Sequence, residues 1–279
     1  MTPGPLQRVT PPLDGREFRW SVGTRPIPES EWLEVSATTT KVMAEKADLL
    51  ARIPAEVVVS EAGTEDACNE LLENVLAHLQ MFAPDRFAVS SDEKTLRDRL
   101  LGREVTLRNE PAVSVLGQLV AEDFCLLEPK GEAWAMTAAT VCFPSRWRLS
   151  DKLGQDLADI HQPVPGYESR IGGAVEALFN RLTPENIVSR SNWTLLNTNE
   201  RHLPTAESSP KVPVMADLGW VRIERQTIRK LADSGAIVFT ILTRVIDYRS
   251  LSSIDQAAMA RAVVSAPADI AHYKSWPQS

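Results

Sequence analysis

The sequence predicts an α+β domain built on an antiparallel sheet with flanking helices. Strands, then two helices, then further strands follow one another without the regular alternation of a parallel α/β fold. The N-terminal third is helical and reads as an extension packed against that sheet. The chain is also long enough: 279 residues with 43% hydrophobic content supply a substantial core for one large domain or two small ones.

The elements follow in order. Residues 1 to about 30 are rich in proline and weakly periodic, which predicts an extended arm lying across the core. Thr64 opens a helix in which Ala67, Leu71, Leu72, Val75, Leu76 and Leu79 recur at helical spacing, and Ala83-Pro84-Asp85 ends it. His78 lies in that helix and reads as a surface or packed residue. Val113 to Leu119, Phe124 to Leu127 and Ala133 to Phe143 read as strands, the last two joined by a turn at Glu128-Pro129-Lys130-Gly131. Ser150 or Asp151 is expected to cap a short helix bearing Leu153, Leu157 and Ile160, which delivers His161. A second helix spans Glu168 to Leu182. Three strands follow, at Ile187 to Leu196, Trp220 to Ile228 and Ala236 to Tyr248, the first two separated by a polar loop from Asn197 to Pro213 that reads as a lid or a disordered segment. Ile254 to about Val264 is expected to form the final helix, leaving 266–279 as a tail.

Bulk properties narrow the function. A net charge of −7, from 30 basic and 37 acidic residues, argues against nucleic-acid binding. No apolar run approaches a membrane span, and the first residues lack a signal-peptide pattern. Cys68, Cys125 and Cys142 are widely spaced and form neither a zinc motif nor a disulfide framework. Together these predict a soluble, cytoplasmic protein. Dinucleotide and phosphate loops, His-Glu-x-x-His and Gly-x-Ser-x-Gly are all missing.

Some residues could hold a ligand. His161 is the most constrained of the four histidines, because Pro163 and Pro165 forbid the helix from continuing past it. An imidazole fixed there can ligate a metal or a haem iron. Upstream, Arg146, Arg148 and Lys152 form a basic cluster, either a solvated turn or an anion site, since guanidinium groups match carboxylate or phosphate oxygens. Strand alternation puts Arg222, Glu224 and Gln226 on one face, with Arg222 and Glu224 about 6–7 Å apart. That face either meets water or holds a polar ligand, the carboxylate accepting a proton or pairing with a cationic substrate. Arg190 and Asn192 likewise share a face, opposite Trp193. Cys142 reads as a buried small hydrophobe.

Cys142-Phe143-Pro144-Ser145-Arg146-Trp147, Lys152-Leu153-Gly154, Ile160-His161-Gln162-Pro163-Val164-Pro165, Arg190-Ser191-Asn192-Trp193 and Arg222-Ile223-Glu224-Arg225-Gln226 resemble the haem-dependent oxidative N-demethylase family. The ordered series spans about residues 140–230. The resemblance implies a PAS-like antiparallel sheet cupping haem b, in a single domain over residues 31–265. It implies a monooxygenase that converts a small secondary amine such as dimethylamine, with oxygen, to a primary amine and formaldehyde. His161 would be the iron ligand, Arg222 and Glu224 would lie over the open iron face, and Arg146, Arg148 and Lys152 would meet the propionates. Arg190 and Asn192 would line the pocket. Electrons would come from a separate flavin or iron–sulfur reductase. The rival expectation is a haem-binding PAS-like sensor without turnover.

Overall fold

A computed structural model describes residues 17–108, 110–205, 209, 214 and 219–277. From the N-terminus, β1 (Arg25–Ile27) leads through α1 (Thr40–Arg52) and α2 (Pro54–Val57) to β2 (Val58–Ser60) and α3 (Glu65–Phe82). A small sheet follows, made of β3 (Phe87–Val89), β4 (Thr95–Asp98) and β5 (Arg103–Thr106). Next come α4 (Ala112–Leu119), the hairpin β6 (Asp123–Lys130) and β7 (Ala133–Thr140), then α5 (Leu157–His161) and α6 (Gly173–Arg181). The long strands β8 (Ile187–Leu196), β9 (Trp220–Lys230) and β10 (Ile237–Asp247) precede α7 (Ser253–Val264) and α8 (Ala268–Tyr273).

Seven strands form one antiparallel sheet in the order β1-β8-β9-β10-β6-β7-β2. The α+β expectation holds, and the three late strands lie within two residues of their expected ends. Alternation gives this sheet two apolar faces. On one, Phe124, Leu126, Ala138, Ile187 and Val238 pack against α3, α4 and the small sheet. On the other, Cys125, Leu127, Ile228 and Ile237 pack against Leu157, Tyr167, Val175 and Phe179. The segment that delivers His161 therefore lies on the second face.

The sheet's outer edge is incomplete. β1 pairs only with Ile187, Val188 and Ser189, so among the described residues β8 has no strand on its outer side from Arg190 onward, while β9 continues along its inner side. The C-terminal segment covers that edge instead. Trp276 stacks on Trp193 with ring centroids 4.6 Å apart, and the Thr194 hydroxyl donates to the Lys274 carbonyl at 2.9 Å. Residues 268–276, expected as tail, are a helix followed by a packed turn in which Trp276 is buried.

Three local expectations need correction. Val113 to Leu119 is not a strand but part of α4. A short apolar run fits a buried helix as well as a strand; here Ala112, Val113, Val115, Leu116 and Leu119 are all buried. The helix that delivers His161 is not capped by Ser150 or Asp151. Those residues sit in a separate 3-10 turn, Leu149–Asp151, and Gly154 at φ +76° breaks the chain's helical course. Asp156 caps α5 by accepting from Asp159 N–H at 2.9 Å. Finally, the Glu168–Leu182 helix opens as a π-helical turn over Glu168–Gly172 before α6 begins.

Of the loop expected over 197–213, residues 206–208 and 210–213 lie outside those described. Its first part is anchored: Leu203 N–H donates to Pro144 O at 3.1 Å, and Arg146 N–H donates to Leu203 O at 2.8 Å.

Candidate functional site

The site begins with the register of β8 against β9. Arg190 pairs with Gln226, Asn192 with Glu224, and Thr194 with Arg222. Paired residues point to the same side of a sheet, so these six side chains form one polar patch on the face that also receives α5. The sequence expected Arg222 beside Glu224 and Arg190 beside Asn192. Pairing joins the two sets.

Arg222 is almost fully buried, at 1% exposure, and its guanidinium is heavily engaged. Nε donates to Glu224 Oε1 at 2.7 Å, one terminal nitrogen to Arg201 O at 2.9 Å, and the other to Phe143 O at 2.5 Å and Thr243 Oγ1 at 3.1 Å. It clamps the 142–147 segment and the start of the 197–213 loop to β9, and it fixes Glu224. The second carboxylate oxygen, Glu224 Oε2, accepts from Gln226 Nε2 at 3.0 Å. Burial alone would raise the Glu224 pKa, but Arg222, Lys274 and the Asn192 amide outweigh it and hold the carboxylate below its usual range. Glu224 is therefore an ionised, oriented acceptor.

His161 approaches the same patch from α5. Its Nδ1 lies 2.8 Å from Leu157 O, one helical turn back. A carbonyl only accepts, so this contact puts the proton on Nδ1. Nε2 is left with its lone pair and makes no hydrogen bond among the described residues. Tyr167 stacks flat on the ring, with centroids 4.2 Å apart and planes 8° from parallel. Burial, with Arg190 and Lys152 nearby, lowers the His161 pKa and keeps the imidazole neutral. Fixed tautomer, fixed ring plane and neutral charge are what a metal-binding imidazole needs.

Two groups beside His161 are incompletely satisfied. Arg190 Nε and the Tyr167 hydroxyl are buried without a hydrogen-bond partner, and each influences the other's charge state. Among the described residues the Arg190 guanidinium makes neither a hydrogen bond nor an ion pair. Arg190 is half-buried, with Nε sealed from solvent and Glu224 the carboxylate that favours its charge; the chemistry that would satisfy the open donor is an anion such as a carboxylate.

The basic trio expected upstream is not gathered together. Arg148 is exposed. Lys152 is buried and donates to Ile160 O at 2.9 Å, bracing the turn that precedes His161. Arg146 reaches in the other direction, to Ser275 Oγ at 2.6 Å and Leu195 O at 3.0 Å. Cys142 is buried as expected, with its thiol pKa pushed up to about 12.

Sequence reasoning missed Lys274. Its ammonium donates to Asn192 Oδ1 and to Trp193 O, each at 2.9 Å. Burial lowers its pKa to about 8 despite the opposing pull of Glu224. Nothing local in His272-Tyr273-Lys274-Ser275-Trp276 marks it out, because its placement depends on the C-terminal segment crossing the β8 edge.

Among the described residues no helix is long and apolar enough to cross a membrane. A comparison with curated proteins finds no match. The family model described as haem-dependent oxidative N-demethylase, alpha subunit-like, matches residues 23–279.

Proposed function

We infer the activity from one premise: the chain belongs to the haem-dependent oxidative N-demethylase alpha subunit-like family. The reading supported best is a haem-dependent monooxygenase acting on a small secondary amine of the dimethylamine type. Amine, oxygen, two electrons and two protons give primary amine, formaldehyde and water. A separate reductase of flavin or iron–sulfur type supplies the electrons, in keeping with the alpha-subunit description of the family.

The observation that carries this reading is the state of His161, with Nδ1 committed to Leu157 O and Nε2 left free. One such imidazole suits an iron whose remaining ligands come largely from a porphyrin. Arg190 and the Tyr167 hydroxyl are donors without partners beside it, which fits a group carrying carboxylates. Lys152 lowers the basicity of His161 and braces its turn. The residues present thus fit haem b: His161 would hold the iron, Arg190 and Tyr167 would meet the propionates, and Asn192 would complete the wall. When bound, the haem supplies oxygen activation and C–H cleavage.

The chain's own residues supply recognition and orientation. A secondary amine is cationic near neutral pH, and Glu224 is an ionised carboxylate on this face able to pair with that charge. Arg222 keeps that carboxylate ionised and aimed.

Purified protein is expected to show a Soret band and to release formaldehyde from dimethylamine when given oxygen and a reductant. His161→Ala should lose the band with the fold retained by circular dichroism. An unchanged haem spectrum in that variant would sink the ligand assignment. Haem uptake with no formaldehyde from any secondary amine would replace the enzyme by a sensor.

A further inference from the structure

We propose that Lys274 is a positioning residue of this site: its ammonium fixes the Asn192 side chain so that the amide N–H₂, not the carbonyl, faces Glu224. The functional importance of that arrangement rests on the reading of Glu224 given above; the arrangement itself does not.

An asparagine side chain presents a donor on one side and an acceptor on the other, with nearly the same shape either way. Asn192 is paired directly across from Glu224. Turned one way, its amide donates to the carboxylate; turned the other, two acceptors face each other. The ammonium of Lys274 is a donor only, and it meets Asn192 Oδ1 at 2.9 Å. That contact commits Oδ1 to the lysine and leaves Nδ2 to bond Glu224, where it helps to keep the carboxylate ionised.

The backbone is arranged to deliver this lysine. Among the described residues only Glu93, Arg146 and Ser275 are non-glycine residues with positive φ. Two of the three, Arg146 at φ +64° and Ser275 at φ +56°, are joined by the 2.6 Å hydrogen bond between their side chains. Left-handed backbone at non-glycine positions persists where surrounding contacts over-determine it, and it collects at functional sites. Here the contacts are Arg146 to Ser275, Thr194 to the Lys274 carbonyl, and Trp276 on Trp193. Each pins the turn from a different side, and Lys274 is the side chain it directs across the β8 edge onto the polar face.

The charged groups around the pair are known. Arg222 of β9 pairs with Glu224, while Arg190 of β8 and Arg146 from the segment after β7 both disfavour the Lys274 ammonium. A hydrophobic replacement therefore removes one cation from a crowded set.

The test is the ionisation of Glu224, followed by NMR in the full chain labelled with ¹³C-carboxyl glutamate and assigned with Glu224→Gln. Lys274→Met should raise the Glu224 midpoint by about one unit as the amide is freed to flip and the nearby charge is lost. Lys274→Met in an Asn192→Leu background separates those effects: with no amide left to orient, only the loss of the lysine charge remains, so the midpoint should shift less than it does when Asn192 is present. Lys274→Arg, also a pure donor, should hold the wild-type value. Amine turnover should follow the same order, with kcat/KM falling roughly tenfold in Lys274→Met and its acid limb moving to higher pH. An unshifted Glu224 titration in Lys274→Met overturns the proposal even where that variant is less stable. So does a shift that Lys274→Arg fails to prevent. Because the titration needs no turnover, failure of the demethylase reading and failure of the Lys274 role give different results.

Discussion

At the scale of single residues, buried ionisable groups fall into two kinds. Glu224 and Arg222 are mutually satisfied on the site face. His78, on the opposite side of the sheet, is buried with neither ring nitrogen hydrogen-bonded. It lies edge-on to Trp32, at 5.3 Å between centroids, and against Phe82 at 4.8 Å. The Glu29 carboxylate is 3.8 Å from Nδ1, too far for a hydrogen bond. Burial pushes the His78 pKa down to about 4, with Arg229 adding to the effect and Glu29 opposing it. Between that value and the ordinary 6.5 of an unfolded chain, the unfolded state binds the extra proton. Stability from neutral His78 is thus complete above about pH 6.5 and is lost progressively as pH falls towards 4, by on the order of 3 kcal/mol. Urea unfolding at pH 7.5 and pH 4.5 should show this loss in the wild type and a smaller one in His78→Leu. Equal losses in both proteins would mean that His78 is not held neutral. The sequence placed His78 on an apolar helix and read it as surface or packed; its isolation from hydrogen bonds depends on Trp32, which lies 46 residues earlier in the chain.

At the scale of elements, the polar face was legible in the sequence because strand alternation is local. Arg222, Glu224, Arg190 and Asn192 could be assigned to faces from spacing alone. The register that sets Asn192 against Glu224 could not, since it depends on two strands meeting across a long loop. α4 was misread for another reason: its valines and leucines satisfy both periods over so short a span. Its glycine explains why it is tolerated as a helix here. A Cβ at Gly117 would lie 2.4 Å from Thr140 Cγ2 and 3.3 Å from Leu50 Cδ1, so α4 and β7 approach as closely as they do only without one. Thr140 cannot simply rotate, because its hydroxyl donates to the Val113 carbonyl on the same helix. Gly117→Ala would gain about 1 kcal/mol of helix propensity and lose about 1–3 kcal/mol to overpacking. The clash is with a buried β-branched side chain, so the second effect should win and the variant should be less stable by chemical denaturation. Thr140→Ser removes the clashing methyl, and adding it to Gly117→Ala should recover part of the loss. A Gly117→Ala protein more stable than wild type would show that α4 can shift away from β7.

At the scale of the molecule, the seven-stranded sheet joins everything the sequence could describe only piece by piece. The layer bearing His161 and the layer bearing α3 and α4 have separate apolar clusters, yet both rest on opposite faces of the same strands. Removing either layer would expose one face of β6, β8 and β10 to water while the other stayed covered, and alternation makes both faces apolar over the centre of the sheet. Burial stabilises by roughly 25 cal/mol per Å² of apolar area, so a half-stripped sheet is a costly intermediate. Chain length argues the other way, since populated intermediates become common beyond about 100–150 residues. The shared sheet should dominate. Trp32 reports on one layer and Trp134 on the other, so Trp32→Phe and Trp134→Phe variants bias the fluorescence signal towards opposite faces. Their urea transitions are expected to coincide with each other and with the far-ultraviolet circular dichroism transition, once each is corrected for its own change in stability. Separate midpoints for fluorescence and circular dichroism in either variant would show that one layer can leave the sheet while the other remains. The polar face would then be assembled on a platform that opens independently of the rest of the fold.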